Sequence, residues 1–197
     1  MRDTVFVFAR APRLGTVKRR LAQAIGDRAA LDFHRATLAR VLRDLAADRR
    51  FATVLAATPD RAAARWPVRT PIVWQGAGDL GLRMQRLMDR RRRGRAVIVG
   101  CDIPDLRATD IAAAFRALGR ADAVFGPATD GGYWLVGFGP RRRAGAFRHV
   151  RWSTGHALAD TLANLRGLRV VLLRTLSDVD EAADLIRPPS GAPAAGA

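Results

Sequence analysis

Apolar residues recur along this chain in two rhythms, and the alternation between them predicts its elements. Short β-branched and aromatic runs read as strands: TVFVFA at 4–9, ATVLAAT at 52–58, PIVW at 71–74 and AVIVG at 96–100. DAVFG at 122–126, YWLVGF at 133–138 and RVVLL at 169–173 continue the series. Between them the spacing turns helical. Leu31, His34, Leu38, Val41, Leu42 and Leu45 form one stripe over 27–48. Further helices are expected from about Thr16, between the strands at 52–58 and 71–74, from Asp79 to Arg92, and over DIAAAFRAL at 110–118. GHALADTLANL at 155–165 and a short piece at 181–186 complete the set.

Strands alternating with helices predict an α/β fold, a single-domain three-layer sandwich around a mostly parallel sheet. The domain is expected over 1–187, with RPPSGAPAAGA leading into a disordered tail at 188–197. In such sheets ligands sit beyond the carboxyl ends of the strands, which directs attention to 10–20, 75–83, 100–106 and 126–133.

Composition narrows the function classes. The 197 residues suffice for a real core, and 49% are hydrophobic, which excludes global disorder. The lone cysteine, Cys101, cannot close an internal disulfide, and no CxxC spacing or Cys/His cluster in the sequence suggests a zinc site. No apolar run reaches membrane-span length and the opening is too short for a signal peptide, so a cytoplasmic protein is expected. The formal charge of +16 raises a nucleic-acid-binding module as a rival to an enzyme. However, arginine is used throughout and Glu181 is the sole glutamate, a skew that reads as compositional bias. The runs at 89–95 and 141–143 then read as solvated faces.

Against that background one residue stands out. Lys18 is the only lysine among 34 basic residues, in the loop RAPRLGTVKRRLAQ. Arginine would serve a solvated position equally well, so Lys18 reads as a compact charge for a phosphate, with Arg10, Gly15 and Arg20 beside it. In GCDIPDL, Asp102 follows a buried strand and suits a hard cation such as Mg2+ or Mn2+, while Asp105 is assigned to the cap of the next helix. In GPATDGGYWLVG, Asp130, Gly131, Gly132 and Tyr133 read either as a substrate-binding turn or as a plain hairpin. Asp178 and Asp180 share a side of an extended segment, and Asp180 either caps a helix or completes the cation site. QGAGDLGLRM places Gly76, Asp79 and Gly81 where a loop could wrap a nucleotide or simply start a helix. His34, on an apolar stripe, reads as a packing residue.

Together RAPRLGTVKRRLA, GAGDLGLRM, GCDIPDL, GPATDGGYWLVG, RWST and DVDEAADL resemble the nucleotide-diphospho-sugar transferase superfamily of glycosyltransferase-A-like folds. More narrowly they resemble a bacterial family often labelled arsenosugar-biosynthesis-type glycosyltransferases, with more distant likeness to molybdenum-cofactor and phospholactate guanylyltransferases. Arg19 stands where that family usually has threonine. The resemblance implies phosphate binding by Arg10, Gly15, Lys18 and Arg20, and nucleotide contacts from Gly76, Asp79 and Gly81. It implies magnesium at Asp102 with Asp180 or Asp130 as the second carboxylate. The expected partners are a nucleoside triphosphate or sugar nucleotide and a small acceptor, with Lys18 and Asp102 as the catalytic pair.

The nucleic-acid alternative makes a distinct forecast. A module neutralising several phosphates binds duplex or single strands with a steep salt dependence. The enzyme reading expects no complex that survives physiological salt, and a salt-titrated gel shift distinguishes the two.

Overall fold

The computed structural model describes residues 2–90, 94–140 and 144–185. Seven strands form one sheet: β1 (Thr4–Arg10), β2 (Ala52–Thr58), β3 (Ile72–Trp74), β4 (Ala96–Gly100), β5 (Ala123–Pro127), β6 (Tyr133–Phe138) and β7 (Val170–Leu172). Their order is β3-β2-β1-β4-β6-β5-β7, and only β6 runs antiparallel to its neighbours. The helices are α1 (Arg19–Ile25), α2 (Asp27–Ala47), α3 (Leu80–Asp89), α4 (Ala108–Ala117), α5 (Ala157–Ala163) and α6 (Ala182–Leu185). The expected three-layer α/β architecture is present. None of these helices is long and apolar enough to cross a membrane.

Strand alternation explains the layers. In β1, Val5, Val7 and Ala9 point to one face, where they join Leu38, Val41, Leu42 and Leu45 of α2 and Ile111 and Phe115 of α4. Phe6 points to the other face, with Met84, Leu87 and Met88 of α3. At Gly137 a side chain would drive a Cβ to 2.8 Å from both Val97 and Val124, so glycine lets β6 sit between two valine-bearing strands.

Register sets the position of the site. Thr4 pairs with Ala96 and Phe8 with Gly100, so β1 and β4 reach the same edge together. The loops that follow them, at 11–18 and 101–107, leave side by side.

Three local expectations are corrected. No helix forms between β2 and β3; Pro59, Pro67 and Pro71 remove backbone donors there, and Trp66 and Val68 pack on the core from an irregular segment. The first helix begins at Arg19 rather than Thr16, because Gly15 and Lys18 both take left-handed backbone conformations that interrupt a helix. Asp105 does not cap α4. That helix starts after Arg107, whose amide donates to Asp110 at 2.9 Å, while the Ala108 amide donates to Asp44 of α2 at 2.8 Å. The expected stretch at 90–92 of the third helix lies partly outside the described residues. The arginine run at 141–143 and the 188–197 tail lie wholly outside them, as do residues 91–93 of the earlier run.

The Asp44 contact ties α2 to α4 and holds the Asp102 loop between them. Asp44→Ala is expected to lower stability by about 1 kcal/mol, the usual scale of a lost helix cap. Urea unfolding of the variant against the unmodified chain measures it.

Candidate active site at the carboxyl edge of the sheet

Four segments distant in sequence meet beyond the ends of β1 and β4. The loop after β1 brings Lys18, which caps α1 with φ 48° and ψ 47°. Such a conformation is uncommon for a residue with a side chain. Here it turns the ammonium inward, leaving its side chain only 4% exposed. The loop after β4 brings Cys101 and Asp102. Arg40 of α2 steadies that loop by donating to the carbonyls of Ile103 at 2.9 Å and Leu106 at 3.0 Å. From the far end of the chain, the Leu176 amide donates to Pro127 and the Val179 amide to the Asp102 carbonyl, both at 3.1 Å. These two bonds carry Asp178 and Asp180 to the same edge.

The centre is an ion-paired triplet. Lys18 Nζ lies 2.9 Å from Asp102 Oδ2 and 2.7 Å from Asp180 Oδ1. On the opposite side of Asp102, Oδ1 accepts from Cys101 Sγ at 3.2 Å and faces His34 Nδ1 at 3.4 Å. His34 is held by Nε2–H donating to the Arg10 carbonyl at 3.1 Å. Its Nδ1 is buried with no hydrogen-bond partner among the described residues.

The electrostatics follow from this geometry. Burial pulls the Lys18 ammonium down, but Asp102 and Asp180 outweigh it and the net shift is upward. Burial pushes the Asp102 carboxyl up, yet the neighbouring His34 ring and Lys18 ammonium hold it well below the usual carboxylate range. Asp178 moves the other way, raised first by burial and then by Asp180 and Asp130. Burial raises the Cys101 thiol well above its ordinary value, and Asp102 adds to the rise.

The triplet opens on a cleft of about 630 Å3 whose wall includes Arg10, Arg19, Arg20 and Arg83. Of the residues singled out in the sequence, Arg10, Lys18, Arg20, Asp102 and Asp180 meet here. Arg20 lies 3.8 Å from Glu181 in an exposed pair. Others are not brought in. Gly15 forms the preceding turn, and Gly76 donates its amide to Asp60. Asp79 caps α3 by accepting from the Leu82 amide at 2.8 Å, and Gly81 packs against Phe147 and Trp152. Asp79 and Gly81 instead line a larger neighbouring cavity of about 910 Å3. The paired charges lie in the smaller cleft, so the functional reading follows it.

The Asp130 turn behaves as a hairpin corner. Asp130 accepts from the Gly132 amide, and Gly131, at φ 83°, presses against Gly155. Tyr133 packs edge-on against Phe125 and accepts from the Thr161 hydroxyl at 3.5 Å; burial raises its phenol. Its ring packs against the core. Asp130 remains close enough to Asp178 to act on its charge.

Several cleft residues escaped the sequence reading, among them Arg83, Cys101, His34 and Gln75. His34 sits on the stripe of α2 that faces the sheet, and periodicity alone does not show that the end of this stripe reaches the strand edge. Gln75, whose side chain donates to the Ala56 carbonyl, was hidden in the glycine loop.

A family model matches residues 37–154, which is more than half of the chain. The chain belongs to the DUF2064 family, described as uncharacterized proteins conserved in bacteria. No curated protein matches it. Among solved structures, this DUF2064 member is similar to a protein from Desulfovibrio desulfuricans G20 provisionally assigned as a nucleotide-diphospho-sugar transferase. Identity is 29%, with 91% of this chain and 82% of that one covered and a TM-score of 0.85. CMP:2-keto-3-deoxy-manno-octonic acid synthetase complexed with CTP shares the fold at 12% identity, 94% and 95% coverage and a TM-score of 0.59. So does 4-diphosphocytidyl-2C-methyl-D-erythritol synthase from Anaerococcus prevotii DSM 20548, at 10% identity, 93% and 94% coverage and a TM-score of 0.57. The fold of the DUF2064 chain is therefore that of nucleotide-diphospho-sugar transferases.

The triplet has a pH signature. Asp102, depressed in the folded state, stabilises above the unfolded carboxyl value near pH ~4, and that contribution fades as pH falls through the folded value. Lys18, raised on folding, stabilises below about pH 10 and loses that contribution as pH climbs through its folded value. Lys18→Met strands both carboxylates and should cost about 1–3 kcal/mol at neutral pH, below the full penalty of a buried pair because Asp102 and Asp180 are 35% and 51% exposed. Urea unfolding at neutral pH and near pH ~3.5 should show the deficit shrinking in acid, as carboxylates below their unfolded value take up protons. An equal deficit at both values rules out a charge origin.

Proposed function

We propose that this protein is an enzyme of the transferase class that holds a nucleotide by its phosphates in the Lys18–Asp102–Asp180 cleft. Its favoured reaction is nucleotidyl transfer from a nucleoside triphosphate to a small phosphorylated acceptor. The observation that carries this reading is the buried Lys18 ammonium, paired with two carboxylates beneath a rim of Arg10, Arg19, Arg20 and Arg83. Phosphate oxygens entering the cleft compete with Asp180 for the ammonium, and guanidinium forks at the rim can each engage two oxygens.

The donor set fits a hard divalent cation. Asp102 and Asp180 both reach Lys18 Nζ, at 2.9 Å and 2.7 Å, so two carboxylates converge at one point of the cleft. Asp102 and Asp180 would hold magnesium or manganese, which when bound screens charge developing on phosphate oxygens. The chain's own residues orient the triphosphate and neutralise it. An acceptor phosphate oxygen attacks the α-phosphorus, the new P–O bond forms as the bond to the β-phosphate oxygen breaks, and pyrophosphate leaves with the electron pair. The acceptor is already anionic, so no side chain is needed as a general base.

A sugar-nucleotide donor is the second reading, favoured by the likeness to the protein from Desulfovibrio desulfuricans G20. In that case the acceptor attacks the anomeric carbon and a nucleoside diphosphate departs.

Isothermal titration with nucleoside triphosphates and sugar nucleotides, with and without magnesium, tests the site. Lys18→Ala should weaken nucleotide binding about tenfold or more, the scale of one charge-assisted hydrogen bond. Asp102→Ala should remove the magnesium dependence. Unchanged affinity in both variants overturns the assignment, and release of pyrophosphate or of nucleoside diphosphate selects the reaction.

A further inference from the structure

Asp102 has two oxygens in two different chemical settings. Oδ2 faces the Lys18 ammonium, with Asp180 on its far side, an environment of charge and oxygen. Oδ1 faces a thiol and an imidazole, with Cys101 Sγ at 3.2 Å and His34 Nδ1 at 3.4 Å. All three potential ligand atoms lie within 4.8 Å of one another. His34 and Cys101 are only 3% and 4% exposed.

We infer that His34 Nδ1, Cys101 Sγ and Asp102 Oδ1 form a binding site for a thiophilic divalent cation of the zinc type, separate from the outer carboxylate position. The decisive feature is the buried Nδ1 without a hydrogen-bond partner among the described residues. A buried polar atom in this state is costly unless something occupies it. The carbonyl of Arg10 can only accept, so Nε2 carries a proton; Nδ1 faces the carboxylate, and once it holds no proton of its own its lone pair is available to a metal that Asp102 Oδ1 shares. That is the arrangement of a metal-ligating histidine, whose second nitrogen is anchored by a backbone carbonyl.

Size and charge agree. Zinc bonds of roughly 2.0 Å to nitrogen and oxygen and about 2.3 Å to sulfur place tetrahedral ligand atoms roughly 3.3–3.6 Å apart. The Sγ–Oδ1 and Nδ1–Oδ1 separations already lie close to that range. Three protein ligands leave a fourth position open, the pattern of reactive rather than structural zinc. Binding replaces the thiol proton with the metal, releasing one proton to solvent. The divalent cation is then balanced by the thiolate and Asp102, while Lys18 balances Asp180. Carboxylate-only sites prefer magnesium or calcium, whereas sulfur and imidazole select softer metals.

Cobalt and zinc, added to the full chain without nucleotide, test this site apart from the nucleotide reading, which is probed with magnesium and nucleoside triphosphates. One equivalent of Co2+ should give a thiolate-to-metal charge-transfer band in the near ultraviolet, and Zn2+ should abolish it. Cys101→Ser should lose the band, and His34→Gln should weaken Zn2+ binding about tenfold or more in a chelator competition. Thermal melts of each variant identify any that fail to fold. If Cys101→Ser misfolds, His34→Gln and the band in the unmodified chain decide the question. No charge-transfer band in the unmodified chain, or zinc affinity unchanged in a folded His34→Gln, overturns the inference.

Discussion

The organisation of this molecule turns on one ammonium group held between two carboxylates. Lys18, Asp102 and Asp180 come from the two ends and the middle of the chain, and no local preference would bring them together. Each is delivered by a separate device: a left-handed backbone at Lys18, a strand end at Asp102, and a backbone bond from Val179 to the Asp102 carbonyl. A charge removed from water needs its counter-charge close by. The loops around the cleft are therefore constrained by the pair as much as the pair is placed by them.

The sheet supplies the platform. β1 and β4 run in register from Thr4 and Ala96 to Phe8 and Gly100, and β1 continues to Arg10 at the same edge. Helix α2 lies across them and does more than cover apolar surface. Its first half places His34 beside Asp102, and its second half uses Arg40 and Asp44 to fix the segment that follows. Core and cleft are thus built from one amphipathic face, with polar residues inserted where it passes the strand ends.

Much of the fold could be read from the residues, because buried strands and helical stripes leave period-specific traces. ATVLAAT gives β2 with the same bounds as in the structure, and AVIVG gives β4. The segment between β2 and β3 misled because alanines and arginines have helical propensity, while its prolines and the docking of Trp66 decide otherwise. The helix start at Lys18 depended on backbone angles that composition does not encode. Lys18 was conspicuous as a lone lysine and Asp102 as a strand-end carboxylate. His34 was not, since a stripe of apolar residues shows which way a side chain points but not what lies opposite. Asp79, Gly81 and Tyr133 carried plausible chemistry, but capping and packing account for their positions.

The bridge from Lys18 to Asp180 spans 162 residues of sequence. During synthesis from the amino terminus, β1 and the Lys18 loop emerge early, yet the cleft cannot close until the segment after β7 has left the ribosome. Until then Lys18 lacks the second of its two counter-charges. The complete triplet is reserved for molecules whose sheet is already assembled.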